Sequence, residues 1–132
     1  MADNSMKITY KIYMEAEDVS SSRILSSTAF VKNLLKNCGN SYFWNVKIDD
    51  ESDLEDFTLR LYVENEIEEE VCSFVEDRDN FIGDMAEILD RIAQAQSYMD
   101  MEGSFSAEWD GKKEAYAFTC EAGMDYCDFK EQ

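Results

Sequence analysis

Phe57-Thr58-Leu59-Arg60-Leu61-Tyr62-Val63-Glu64-Asn65-Glu66-Ile67-Glu68-Glu69-Glu70 is the stretch on which the fold turns. Its first half alternates: Phe57, Leu59, Leu61 and Val63 fall on one side, Thr58, Arg60 and Tyr62 on the other. Period two with bulky apolar residues is the pattern of a half-buried strand. From Asn65 onward the spacing fits a helix reaching about Arg78. At 100° per residue Ile67, Val71, Phe74 and Val75 share one arc, and Glu66, Glu69, Glu70, Glu76 and Asp77 share the opposite one. That is an amphipathic helix with an almost wholly anionic outer face. The like-charged pair Glu66–Glu70 costs such a helix about 0.2–0.5 kcal/mol. Acidic residues near its start recover part of this through the helix dipole.

Upstream, residues 6–15 alternate, with Ile8, Tyr10, Ile12 and Met14 against Lys7, Thr9, Lys11 and Tyr13, and predict a strand. Ser20, Ser21 and Ser22 offer hydroxyls for a helix N-cap. Ile24, Thr28, Val31, Leu35 and Cys38 follow at helical spacing, and Gly39 can close the helix in the left-handed conformation. A helix is therefore expected over 21–38. Tyr42, Trp44, Val46 and Ile48 alternate with Phe43, Asn45 and Lys47 as a second strand. The acidic link 49–56 makes it an antiparallel neighbour of the strand at 57–63.

Downstream, Phe81, Ile82, Met85, Ile88, Leu89, Ile92 and Ala93 form the apolar stripe of a helix over 81–99, with a bend expected near Arg78–Asn80. Phe105, Ala107 and Trp109 begin a hairpin whose turn is Asp110-Gly111, a type I′ signal, and whose return strand runs over 114–120. Residues 1–5 and 122–132 are expected to be loosely ordered. The chain reads as one α+β domain over 1–132, with an antiparallel sheet of four or five strands and helices on one face. The order is β-α-β-β-α(α)-β-β, and its first six elements fit a split βαβ arrangement.

Thirty acidic residues face twelve basic ones, for a formal net charge of −18. Seventeen of the acids lie between Asp49 and Asp90, opposed there by only Arg60 and Arg78. The hydrophobic content of 45% and aromatic content of 13% belong to a folded chain, so this acidity does not signal disorder. A charge of this size repels membranes and nucleic acid and favours a basic protein surface or dissolved cations. The residues expected to meet that partner are Asp49, Asp50, Glu51, Asp53, Glu55, Asp56, Glu66, Glu69, Glu70, Glu76 and Asp77. Since the charge is one-signed and lies on structured elements, a docking surface that imitates nucleic acid outweighs the plain reading of solubility.

Other chemistry is poorly served. With no histidine there is neither a Ser-His nor a Cys-His pair. The run Asp49–Asp56 departs from a calcium loop, which needs glycine sixth and glutamate twelfth where this chain has Leu54 and Arg60. No catalytic residue, metal site or cofactor is expected, and a metal-dependent enzyme is only a minor alternative. Cys38, Cys72, Cys120 and Cys127 form no C-x-x-C pair and read as thiols of a cytoplasmic protein, with a Cys120–Cys127 disulfide as the lesser alternative. The open sheet face would carry Lys7, Lys11, Tyr13, Phe43, Lys47, Arg60 and Tyr62, but the glycine- and aromatic-rich motif of an RRM is missing, so direct nucleic-acid binding is not expected.

In size and charge, though not in any motif, the chain resembles the small acidic inhibitors of phages and mobile elements, anti-CRISPR and anti-restriction proteins among them. The resemblance implies a non-enzymatic inhibitor that blocks the basic nucleic-acid site of a bacterial defence nuclease and works in the host cytoplasm. Toxin-immunity proteins and acidic type III secretion chaperones are similar in size and acidity and are the competing expectation.

Overall fold

The alternation at the N-terminal end of the chain builds the centre of the sheet. In the computed structural model the described residues are 5–39, 41–43, 45–70, 74–96, 98–121, 123 and 128–131, with the backbone alone described at Ser41, Glu69, Phe74 and Val75. Strand β1 (Ser5–Ala16) buries Met6, Ile8, Tyr10, Ile12, Met14 and Ala16 and turns Lys7, Lys11, Tyr13 and Glu15 outward. Helix α1 (Ser21–Asn37) follows, with the Ser20 hydroxyl accepting the Arg23 N–H at 3.4 Å and Gly39 at φ +73 just past its end. Strands β2 (Lys47–Asp50) and β3 (Leu59–Glu70), helix α2 (Phe74–Ala95), and strands β4 (Asp100–Trp109), β5 (Lys112–Cys120) and β6 (Asp128–Glu131) complete the chain.

The sheet order is β2-β3-β1-β4-β5-β6, antiparallel throughout. Both β1 and β2 run opposite to β3, which lies between them, and both β3 and β4 run opposite to β1. Each helix therefore crosses over between two parallel strands held apart by a third, the split βαβ arrangement, with the β5–β6 extension beyond β4. The two helices cover the same face. Ile24, Val31 and Leu35 of α1 join Phe81, Met85, Ile88, Leu89 and Ile92 of α2 and the inner residues of β1, β3, β4 and β5 in one core. Phe81 lies edge-on to Phe105 and Tyr42, with centroids 4.8 and 5.0 Å apart. Ser27 and Tyr98 both donate to Gln96 Oε1 at 2.7 Å, fastening α1 to the end of α2.

Five expectations are corrected. The sheet has six strands where four or five were expected, because residues 128–131 form β6, whose Phe129 packs on Phe118 and Phe105. Residues 65–70 are not helical: they continue β3, in unbroken register with β1 from Ala16↔Leu59 to Ser5↔Glu70. A twelve-residue central strand needs a neighbour of equal length, and that pairing overrides the helical spacing. α2 shows no break at Arg78–Asn80. Arg78 donates through Nη1 to both carboxylate oxygens of Glu114 on β5, at 3.0 and 2.9 Å, which holds that turn against the sheet. Residues 41–43 form a 3-10 turn instead of a strand, with Tyr42 and Phe43 both buried; two successive buried side chains cannot come from one face of a strand. Phe43 is thus a core residue and not part of the open face. Trp44, expected on the second strand, lies outside the described residues, as do Val71 and Cys72 of the expected helix.

Candidate partner-binding surface

The two-layer fold distributes the acidic stretch over three places. The first is the β2–β3 hairpin, where Asp49, Asp50, Glu51, Asp53, Glu55 and Asp56 are all exposed. Two of them build the turn. Asp53 Oδ1 accepts the N–H groups of Glu55 and Asp56 at 3.0 and 3.1 Å, and Asp50 Oδ1 accepts that of Ser52 at 3.0 Å. Asp50 also reaches Lys32 of α1 at 3.8 Å. The tip is tied down by Val19 N–H to the Phe57 carbonyl (2.9 Å) and by Ser21 Oγ to the Leu54 carbonyl (3.3 Å). Leu54 and Phe57 remain exposed among the acids.

The second place is the outer side of β3. Even-numbered residues point away from the helices, so Glu64, Glu66, Glu68 and Glu70 stand in one row. Glu66 takes Lys7 Nζ at 3.0 Å, and with its neighbours Glu108 and Glu68 it raises the lysine's pKa. The Tyr62 hydroxyl donates to Glu64 Oε2 at 2.9 Å, and desolvation together with that carboxylate pushes its phenol up to about 12. The third place is the first turn of α2, with Glu76 exposed and Asp77 half-buried.

The structure therefore brings Glu66 and Glu70 into one row, places the loop acids at the far end of the same hairpin, and starts α2 beyond the opposite end. Glu69 belongs to β3, but its side chain lies outside the description. The expected helix-plus-loop surface becomes a strand track with an acidic group at either end. Glu64 and Glu68, which are not among the residues expected to meet a partner, stand in the same row. The signal for them was the period-two alternation, which runs on through Glu70.

The remainder of the open face is mixed in sign. Lys7, Lys11, Tyr13, Lys47, Arg60 and Tyr62 do share it, with the Tyr13 and Tyr62 rings 4.8 Å apart. Every row holding a lysine of β1 or β2 also holds a glutamate: Lys47, Glu64 and Lys11 in one, Glu68, Lys7 and Glu108 in another. Among the described residues no three carboxylate or thiol side chains are grouped to hold a metal ion. Cys38 is half-buried with a free thiol and Cys120 is buried; Cys72 and Cys127, the latter the second half of the lesser disulfide alternative, lie outside the described residues. Among the described residues no helix is long and apolar enough to cross a membrane. Compared with known proteins, the chain matches no family model, no curated protein and no solved structure.

Proposed function

We propose that this protein is a non-enzymatic binder of a basic macromolecular surface, and that it inhibits a bacterial defence nuclease by occupying its nucleic-acid site, in the manner of anti-CRISPR and anti-restriction proteins. The observation that carries this reading is the carboxylate track on β3. Glutamates at two-residue intervals stand about 6.8 Å apart, so the four from Glu64 to Glu70 make a row roughly 20 Å long. That is a little over half of the ~34–36 Å of one duplex turn. The exposed hairpin acids extend the track at one end. Leu54 and Phe57 add apolar contact within a charged rim, the usual anatomy of a protein interface.

A pull-down from bacterial lysate read by mass spectrometry identifies the partner, and a salt series then tests the charge. The Debye length shrinks from ~8 Å at physiological salt to ~3 Å at 1 M, so affinity falls steeply across that range. Reversing Glu66, Glu68 and Glu70 to lysine abolishes binding. Reversing the exposed Glu17, Glu87 and Glu121, an equal change in net charge away from the track, leaves most of it. Parent-like binding by the track variant at every salt concentration, with its circular dichroism intact, refutes the reading and leaves the acidity as a solubility device.

A further inference from the structure

We infer that the edge of β3 from Glu66 to Glu70 takes an extended basic segment of the partner as an added strand; this rests on the basic-partner reading above and specifies how that partner is held. β2 pairs with β3 only from Asp50↔Leu61 to Lys47↔Glu64. Beyond that point β3 runs on for six residues with β1 as its one strand neighbour among the described residues. A hollow of about 250 Å³ on the sheet face, lined by Thr9 and Lys11 of β1, Glu64 and Glu66 of β3 and Lys47 of β2, lies beside the end of β2.

The direction of the backbone groups follows from the hairpin. The Arg60 carbonyl accepts the Glu51 N–H at 2.9 Å, and the Arg60 N–H donates to Ser52 Oγ at 3.0 Å, so Arg60 turns its backbone toward β2. Strand geometry alternates with period two, and the unbroken register with β1 excludes a bulge. Glu66, Glu68 and Glu70 therefore turn their N–H and C=O groups toward the same side, where β2 is no longer present. The Glu66 N–H donates to its neighbour Asn65 Oδ1 at 3.0 Å, a side chain standing in for the carbonyl of a missing strand.

Charge selects the occupant. Directly opposed residues of an antiparallel pair share a face, so the incoming residues across from Glu66, Glu68 and Glu70 lie beside these carboxylates. A second copy of this edge would set glutamate against glutamate, and opposed like charges destabilise a pair. An acidic edge also repels apolar strands. A segment with lysine or arginine at alternate positions satisfies both the backbone groups and the charges, which is strand addition with a charge code.

The probe is a fluorescein-labelled seven-residue peptide of alternating lysine and threonine, followed by anisotropy against the full chain. The unmodified peptide binds, and the amides of Glu68 and Glu70 gain protection from hydrogen exchange. N-methylating the peptide at residues set to face the edge lowers affinity about tenfold or more, the equivalent of one or two lost hydrogen bonds; methylating the alternate residues does not. Glu68→Pro removes an outward N–H at a position where an edge strand tolerates proline, and it weakens binding as N-methylation does. Glu68→Gln, which keeps the N–H, weakens it less. If both methylated peptides bind like the parent peptide and Glu68→Pro changes nothing, strand addition is overturned while a basic partner stands. If no peptide binds even at low salt, both readings fall.

Discussion

Replacing Gly103 and Gly83 by alanine, one at a time, should move stability in opposite directions. Gly103 sits on β4 between Ile12 of β1 and Phe118 of β5. A Cβ there would lie 2.0 Å from the Lys11 carbonyl oxygen and 2.6 Å from Phe118 Cζ. The Phe118 ring could turn aside, but the carbonyl belongs to the central strand and cannot move without breaking its ladder. Overpacking of a core costs about 1–3 kcal/mol, and a rigid backbone obstacle places this case at the upper end, about 3 kcal/mol. For a chain of this length that lowers the melting temperature by roughly 10 °C. Gly83 lies exposed on α2, where an added Cβ meets nothing within 4 Å. Alanine there gains about 0.5–1 kcal/mol from helix propensity and reduced unfolded-state entropy. Urea and thermal unfolding followed by circular dichroism read both variants, with the m-value checked for constancy. A Gly103→Ala protein within about 0.5 kcal/mol of the parent, below the usual range for overpacking, refutes the close approach and with it the β1–β4 register.

Two further outcomes test the packing. The Tyr10 hydroxyl is buried, donates to the Tyr42 carbonyl at 2.7 Å, and has its pKa raised, chiefly by burial. The unfolded chain loses this proton first, near pH 10, so the stabilisation is complete below that pH and is lost as pH climbs toward the folded value. Tyr10→Phe should cost about 1 kcal/mol at neutral pH and flatten the alkaline fall in stability; the flattening is partial, since Tyr62, Tyr98 and Tyr116 are also raised. An unchanged alkaline slope counts against the buried phenol. For the Arg78–Glu114 pair, a cycle of Arg78→Met, Glu114→Gln and the double variant should give a coupling of about 1–2 kcal/mol in urea unfolding. Side-chain exposures of 20% and 29% place the pair between a surface bridge and a buried one, and a coupling near zero would show that α2 is not anchored through it.

The sequence marks β1, α1 and the β4–β5 hairpin plainly because each has a single consistent period and its own punctuation. Ser20 and Gly39 bracket α1, and Asp110 and Gly111 take φ of +49 and +75 as a type I′ turn demands. Residues 65–70 are ambiguous by nature. Glutamate is a good helix former, and Ile67 fits either an arc with Val71 or an alternation with Val63. What decides is a long-range fact, the length of β1, to which no local window has access. The same error moved the candidate site: read as a helix, Glu66 and Glu70 share a face with Glu76 and Asp77, whereas on a strand they share one with Glu64 and Glu68. Tyr42 and Phe43 show the converse, two adjacent aromatics that alternation assigns to opposite faces and that a 3-10 turn buries together.

The central position of β1 has a consequence for how the molecule comes into being. β1 pairs with Leu59–Glu70 on one side and with Asp100–Glu108 on the other, and with no described strand nearer in the chain. Its apolar row of Met6, Ile8, Tyr10, Ile12 and Met14 must wait for Leu59–Glu70 to be made before one flank can be filled, and for Asp100–Glu108 before the other. Large loops have to close before any of that hydrogen bonding is recovered, which makes for slow folding relative to size. As they are made, the seventeen acids between Asp49 and Asp90 add mutual repulsion between unfinished copies, which opposes association of that apolar row while the sheet is still incomplete.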